Sequence, residues 1–283
     1  MKRKGITLIE LLVVIVVTTL LVAVLTPGLN RSRQMAVRLL CATNLRGIGS
    51  AMALYAHEHE EEYPRSGGVG AYWGSNGIIG NGMFFAEDEE DTFVGGIATI
   101  TSCFYLMVKY GIMGPKQVVC KGDEGVRLYK PTDAFMPPPG TLAGAWDFGG
   151  GRKVWPGDCV SYSYHMPFNI DVDYPGYPIS AASREDSPLC ADRNPFLDKN
   201  VFDPHVGDNS RSHQGKGQNV LYKGGHVNFE ETPRVGLNED NIWTYGGDPD
   251  FGGGDPNGTP PTHVGDGYPV GVNDAYLVNE VQR

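Results

Sequence analysis

After position 26 this chain of 283 residues has no long apolar run, and it lacks the short signatures that announce common chemistries. There is no G-x-S-x-G, no H-E-x-x-H and no C-x-x-C. The glycine-rich residues 67 to 82 have neither a Gly-Lys-Ser/Thr ending nor a complete G-x-G-x-x-G. These absences leave no sequence ground for a serine hydrolase, a zinc protease, a dithiol redox centre or a phosphate loop. No catalytic residue is therefore expected. Basic charge is also scarce: residues 47 to 283 hold 16 basic and 32 acidic side chains, so this region is a poor binder of nucleic acid, which requires a basic surface.

What the chain does have is glycine and proline, 39 and 20 of them. Together they exceed the usual share of about 12% and predict a loop-rich region with short strands. Five cysteines, Cys41, Cys103, Cys120, Cys159 and Cys190, are an odd number. In an oxidising compartment one or two disulfides are expected among the last four, with Cys41 serving as packing.

The dominant feature is the apolar run of residues 6 to 26 behind Lys2, Arg3 and Lys4. As a helix it would span about 31 Å, close to the ~30 Å hydrocarbon core of a bilayer. A secretory signal peptide would have a shorter apolar stretch and a small-x-small cleavage site, and neither is present. A plain anchor explains the length but not Glu10, the one ionisable side chain in the run. A carboxylate at that depth is costly unless paired.

Lys4-Gly5 followed by Ile6-Thr7-Leu8-Ile9-Glu10-Leu11-Leu12 resembles the prepilin-type cleavage and methylation signal of type IV pilins and type II secretion pseudopilins. The resemblance implies cleavage after Gly5 by a prepilin peptidase and methylation of the new N-terminus at Ile6. Ile6 stands where phenylalanine is commoner. Glu10 would become the fifth residue of the mature chain and face the α-amine of a neighbouring subunit. Such a pair sets register between subunits more than it adds stability, whereas removing one member is expected to cost about 3 to 5 kcal/mol. The resemblance also implies a bacterial inner-membrane protein, single-pass, with a cytoplasmic N-terminus and a head in the periplasm or beyond. Its partners would be other pilin-like subunits and the assembly proteins of the inner membrane. Counting cations cannot set this orientation, because Arg31, Arg33 and Arg38 nearly balance the three at the start.

Pro27 follows the run, and a kink is expected near residues 23 to 27. Beyond it Val37, Cys41, Leu45, Ile48, Met52 and Tyr55 recur at spacings of 4, 4, 3, 4 and 3, one face of an amphipathic helix that should continue to about His57. Gly47 and Gly49 weaken it locally. The expected division is a leader at 1 to 5, a membrane and polymerisation helix at 6 to 26, an amphipathic stalk at 27 to 57 and a loop-rich head at 58 to 283. The fold class is α+β, with the stalk packed on an antiparallel sheet.

Within the head, residues 99 to 112 read as a short helix and residues 115 to 120 as an extended segment. Residues 160 to 164, 187 to 192 and 273 to 278 read as strands. Residues 218 to 222 and 226 to 230 form a hairpin turned by Lys223-Gly224-Gly225. The acidic runs at 58 to 62 and 87 to 91 read as solvated.

Cys41-Ala42-Thr43-Asn44-Leu45-Arg46-Gly47-Ile48-Gly49, the Pro-x-x-x-x-Cys step at 115 to 120, and His213 with Gly224-Gly225 resemble a bacterial prepilin-like family whose heads carry His, nine residues, then Asp-Gly. Here ten residues separate His213 from Gly224, and Gly-Gly replaces Asp-Gly. Asp192, His205, His213 and His226 have the donor chemistry of a zinc or iron site, but their spacing matches no zinc signature. Asp248, Asp250 and Asp255 suggest calcium, yet Gly252 holds the third ligand position and the closing glutamate is missing. The expected function is a structural subunit of a type II secretion or type IV pilus-like filament. The alternatives are a membrane-anchored binding or enzymatic head, or a minor tip subunit that binds cargo.

Overall fold

A computed structural model describes residues 7–68, 71–73, 97–133, 142, 145, 147–149, 154–168, 176–197, 209–247, 253–255, 257–261 and 267–280. A 51-residue helix, α1 (Leu8–Glu58), runs through Pro27. Pro27 has no N–H for the carbonyl four residues back. One residue away, the Thr26 hydroxyl donates to the Val22 carbonyl at 2.6 Å.

The head is built on a five-stranded antiparallel sheet of β3 (Tyr162–His165), β4 (Pro188–Asp192), β5 (Gln218–Tyr222), β6 (Val227–Glu230) and β7 (Leu277–Val278), in the order β6-β5-β4-β3-β7. Two short strands, β1 (Tyr72–Trp73) and β2 (Ile97–Ala98), pair in parallel beside it. Helix α2 (Ile100–Lys109) starts at Thr99, whose hydroxyl accepts the Ser102 N–H. The architecture is therefore α+β, with a long N-terminal helix lying on an antiparallel sheet.

The stalk face read from the sequence is the buried one. Cys41, Leu45, Ile48, Met52 and Tyr55 are covered, and Val37 is half covered. The helix lies over β5 and β6, so the hairpin forms the edge beneath it. Gly49 permits this approach, since a Cβ there would sit 3.0 Å from the Leu221 methyls. Strands β3, β4 and β5 are buried along their whole length rather than on alternate residues. The reason is a second apolar layer. Leu221, Tyr162 and Tyr164 pack toward α1 and α2, while Val220, Ala191 and Leu277 pack under Ile242 and Trp243 on the other face.

Two expectations are corrected. Residues 115 to 118 form turns, with Gln117 N–H donating to the Gly114 carbonyl, not an extended segment. Cys41 is no mere packing residue: it forms a disulfide with Cys120 across 79 positions, while Cys103, Cys159 and Cys190 are buried thiols outside it. Helical periodicity reports that a side chain is buried but not what lies opposite, and these turns bring Cys120 against the stalk.

Polar groups tie the loops together inside the head. The buried Arg193 guanidinium donates to the carbonyls of Gly157, Val160 and Glu280 and pairs with Asp123. The Glu280 carboxylate accepts the Trp73 indole N–H at 2.9 Å and the Ile100 N–H at 3.0 Å. Asp274 accepts the N–H groups of Gly246 and Val270, and Asp240 those of Asp255 and Ala275. Burial pushes Glu280 and Asp274 up to about 7 and Asp240 up to about 6, against the backbone donors that pull them down.

Candidate functional site

At the N-terminus, Gly5 and Ile6 lie outside the described residues, and the geometry begins at Thr7. Thr7 caps α1: its hydroxyl accepts the Glu10 N–H at 3.3 Å, and Glu10 returns the contact by accepting the Thr7 N–H and hydroxyl at 2.8 Å each. This reciprocal box satisfies orphan donors of the first turn and places a carboxylate at the positive end of the helix dipole. Glu10 is thus held in the first turn of the helix. The expected pairing with a neighbour's amine would have to replace or supplement contacts to Thr7.

Beyond Glu10 the helix is apolar around its circumference and uncovered. Leu11, Leu12, Ile15, Leu20 and Val24 are all exposed, and none of the most apolar 18-residue window is buried by the head. A surface of this length and composition, left bare by its own chain, fits a single-pass membrane anchor.

The second constellation pins the stalk to the head. His213 sits in a 3₁₀ turn, Arg211–His213, opened by the Ser210 hydroxyl, and its ring edge meets Phe229. His213 Nε2 lies 3.1 Å from Asp192 Oδ2 and 3.0 Å from Asn219 Nδ2. Asp192 Oδ2 also accepts the Asn219 backbone N–H at 2.7 Å, while its Oδ1 is buried without a partner among the described residues. Gly122 makes room for the ring, because a Cβ there would be 3.0 Å from the imidazole and 2.4 Å from the Ser212 carbonyl oxygen. Donor atoms of Cys41, Cys120, Asp192 and His213 lie within 4.8 Å of one another. With the disulfide formed, both sulfurs are engaged. A four-donor tetrahedral set of the kind zinc favours would arise only after reduction.

Of the metal candidates read from the sequence, the structure joins Asp192 and His213. His226 is exposed at the hairpin turn and stacks on Tyr222 at 4.6 Å, so it is not a ligand with them. His205, Asp248 and Asp250 lie outside the described residues. Asp255 accepts the Asn257 N–H in a local turn and donates its own N–H to Asp240. Gly225 adopts φ +83° in the hairpin turn, while Gly224 packs against Glu185, where a Cβ would meet the carbonyl oxygen at 3.1 Å. Sequence reasoning missed Asn219 and the Cys41–Cys120 link.

A family model described as the prokaryotic N-terminal methylation motif matches residues 1–26. The chain therefore carries a prepilin-type cleavage and methylation motif on an apolar helix and is a prepilin-like processed protein. Such a motif implies handling by a prepilin peptidase and assembly with pilin-like subunits. No curated protein and no solved structure matches the chain.

Proposed function

We propose that this protein is a pseudopilin- or pilin-like structural subunit. Cleavage after Gly5 and methylation of Ile6 yield a mature chain that enters a type II secretion or type IV pilus-like filament through its apolar helix. The observation that supports this most is the conjunction, at residues 1–26, of the methylation motif with a helix start that holds Glu10 in its first turn, four positions along the chain from Ile6. The amine released at Ile6 would be a cation at the depth of that carboxylate, and each is tolerable in an apolar surround only with an opposite charge at hand. Before assembly the protein sits in the bacterial inner membrane with its N-terminus cytoplasmic and its head across the membrane. A disulfide between stalk and head supports an oxidising compartment for the head.

The role is structural and not enzymatic in this reading. The His213–Asp192 pair is buried, where its polar contacts join the 3₁₀ turn at Arg211–His213 to β4 and β5. N-terminal sequencing and intact mass of protein extracted from membranes test the proposal directly. The expected chain begins at Ile6 and is heavier by one methyl group at its amine. A mature chain that still begins at Met1 defeats the reading.

A further inference from the structure

A groove of about 680 Å³ opens where the stalk leaves its apolar segment and first meets the head. Asn30, Arg33, Gln34 and Arg38 of α1 form one wall. Lys121 and Arg211, from two head loops, form the other, with His213 behind. Four cations and a single acid, Glu124, line this groove in a protein of net charge −10. Among the described residues Arg33, Lys121 and Arg211 have no salt-bridge partner, and Arg38 is held over the Phe229 ring at 4.0 Å. A fifth cation, Lys216, donates to Gln34 at 3.3 Å and so stands at the same height on the stalk. Cations gathered on one concave surface repel one another, and an anion held between them relieves that repulsion.

The height of the groove selects the anion. Measured along the helix from Thr26, the end of the apolar run, Asn30 lies about 6 Å on and Arg33 and Gln34 about 10 to 12 Å on. The headgroup layer of a bilayer extends about 5 to 8 Å beyond the hydrocarbon. The lower mouth of the groove, at Asn30, therefore opens within the headgroup layer of the leaflet from which the head emerges, and a long side chain at Arg33, leaning toward the helix N-terminus, reaches back to that layer.

We propose that this groove binds the phosphate of an anionic phospholipid headgroup, with Arg33 and Arg211 as its principal ligands and Lys121 and Lys216 adding attraction. Arginine suits the task because its planar fork meets two phosphate oxygens at once. The contact fixes the depth of the stalk and the bearing of the head while the subunit waits in the membrane, and it is given up when the subunit leaves the bilayer. The inference rests on the membrane-anchor reading above.

The test uses the full chain in detergent micelles, offered equal amounts of phosphatidylglycerol and phosphatidylcholine and read by native mass spectrometry. A parallel titration uses inorganic phosphate alone. Phosphatidylglycerol is expected to be retained in preference to phosphatidylcholine. The double variant Arg33→Gln/Arg211→Gln should weaken that retention by about thirtyfold, roughly fivefold for each cation removed near a membrane surface. Both positions are exposed, so melting temperature and resistance to alkaline extraction from membranes should not change. Equal retention of the two lipids, or undiminished retention by the variant, overturns the proposal. Saturation by inorganic phosphate at the same concentration as the lipid reassigns the groove to a free anion and overturns it too. Loss of self-association in lipid-free detergent by the variant points to the acidic head of a second copy as the occupant, and this also overturns the lipid assignment. If the unaltered protein is released by alkali, the anchor reading itself fails; if it resists alkali without preferring the anionic lipid, only the groove assignment fails.

Discussion

Glu280, Asp274 and Asp240 act as buried acceptors for backbone and indole N–H groups, and their environment favours the protonated form. Their native pKa values, about 7, about 7 and about 6, lie above the ordinary carboxyl range, so between roughly pH 4 and pH 7 the folded chain binds more protons than the unfolded one. Stability contributed by these groups is complete below pH 4 and is lost as pH rises through 6 to 7, by up to about 1.4 kcal/mol per pH unit for each. His165 works the other way. Burial lowers it to about 4, so it favours the folded chain as pH rises from 4 to 6.5 and then stops titrating. Between pH 6.5 and 8 the carboxyls alone remain, and urea midpoints should fall over that interval. Asp274→Asn keeps an acceptor for Gly246 and Val270 without the charge, and it should flatten the fall and exceed the parent protein in stability at pH 8. A urea midpoint that rises from pH 6.5 to 8 would contradict this account.

At the scale of elements, the joint between stalk and head carries the architecture. Leu45, Ile48 and Met52 supply apolar contact, Gly49 sets the distance, and the Cys41–Cys120 disulfide closes a long loop over the His213, Asp192 and Asn219 contacts. For a loop of 79 residues, chain entropy makes the crosslink worth about 4 kcal/mol. Cys41→Ser and Cys120→Ser should each lower stability by about that amount, and the double variant by no more than either one, because the two share a single bond. Thermal unfolding under non-reducing conditions checks this. Additive losses in the double variant would mean that the cysteines act separately. The helix, its buried stripe and the hairpin are all legible in the sequence, because apolar spacing and glycine in a turn are local properties. The turns at residues 115 to 118 are not, since nothing in that short stretch shows that it wraps the stalk.

For the whole molecule, the uncovered apolar helix is the part that needs other molecules. The head encloses its own two apolar layers, whereas Leu8, Ile9, Leu12 and Val16 find cover only in lipid or against other helices. Glu10→Leu removes the charge that the matured amine would meet, and it also removes the return half of the Thr7 box. The variant should still insert in membranes, with a head of unchanged melting temperature, but should co-assemble with the parent chain at least tenfold less well in sedimentation of sheared filaments. Equal incorporation would remove the support for Glu10 as the register-setting residue.

Residues 1 to 58 declare their nature before any fold is known: basic cluster, glycine, apolar run with one carboxylate, then a stripe at helical spacing. Each of these signals is carried by neighbours along the chain and needs nothing distant to make sense. The junction of Cys41, Cys120, Asp192, His213 and Asn219, and the cationic groove beside it, depend on segments up to about 180 positions apart. Only the packing of α1 across the hairpin brings them together, because long-range proximity is decided by which buried faces fit one another and leaves little trace in local order.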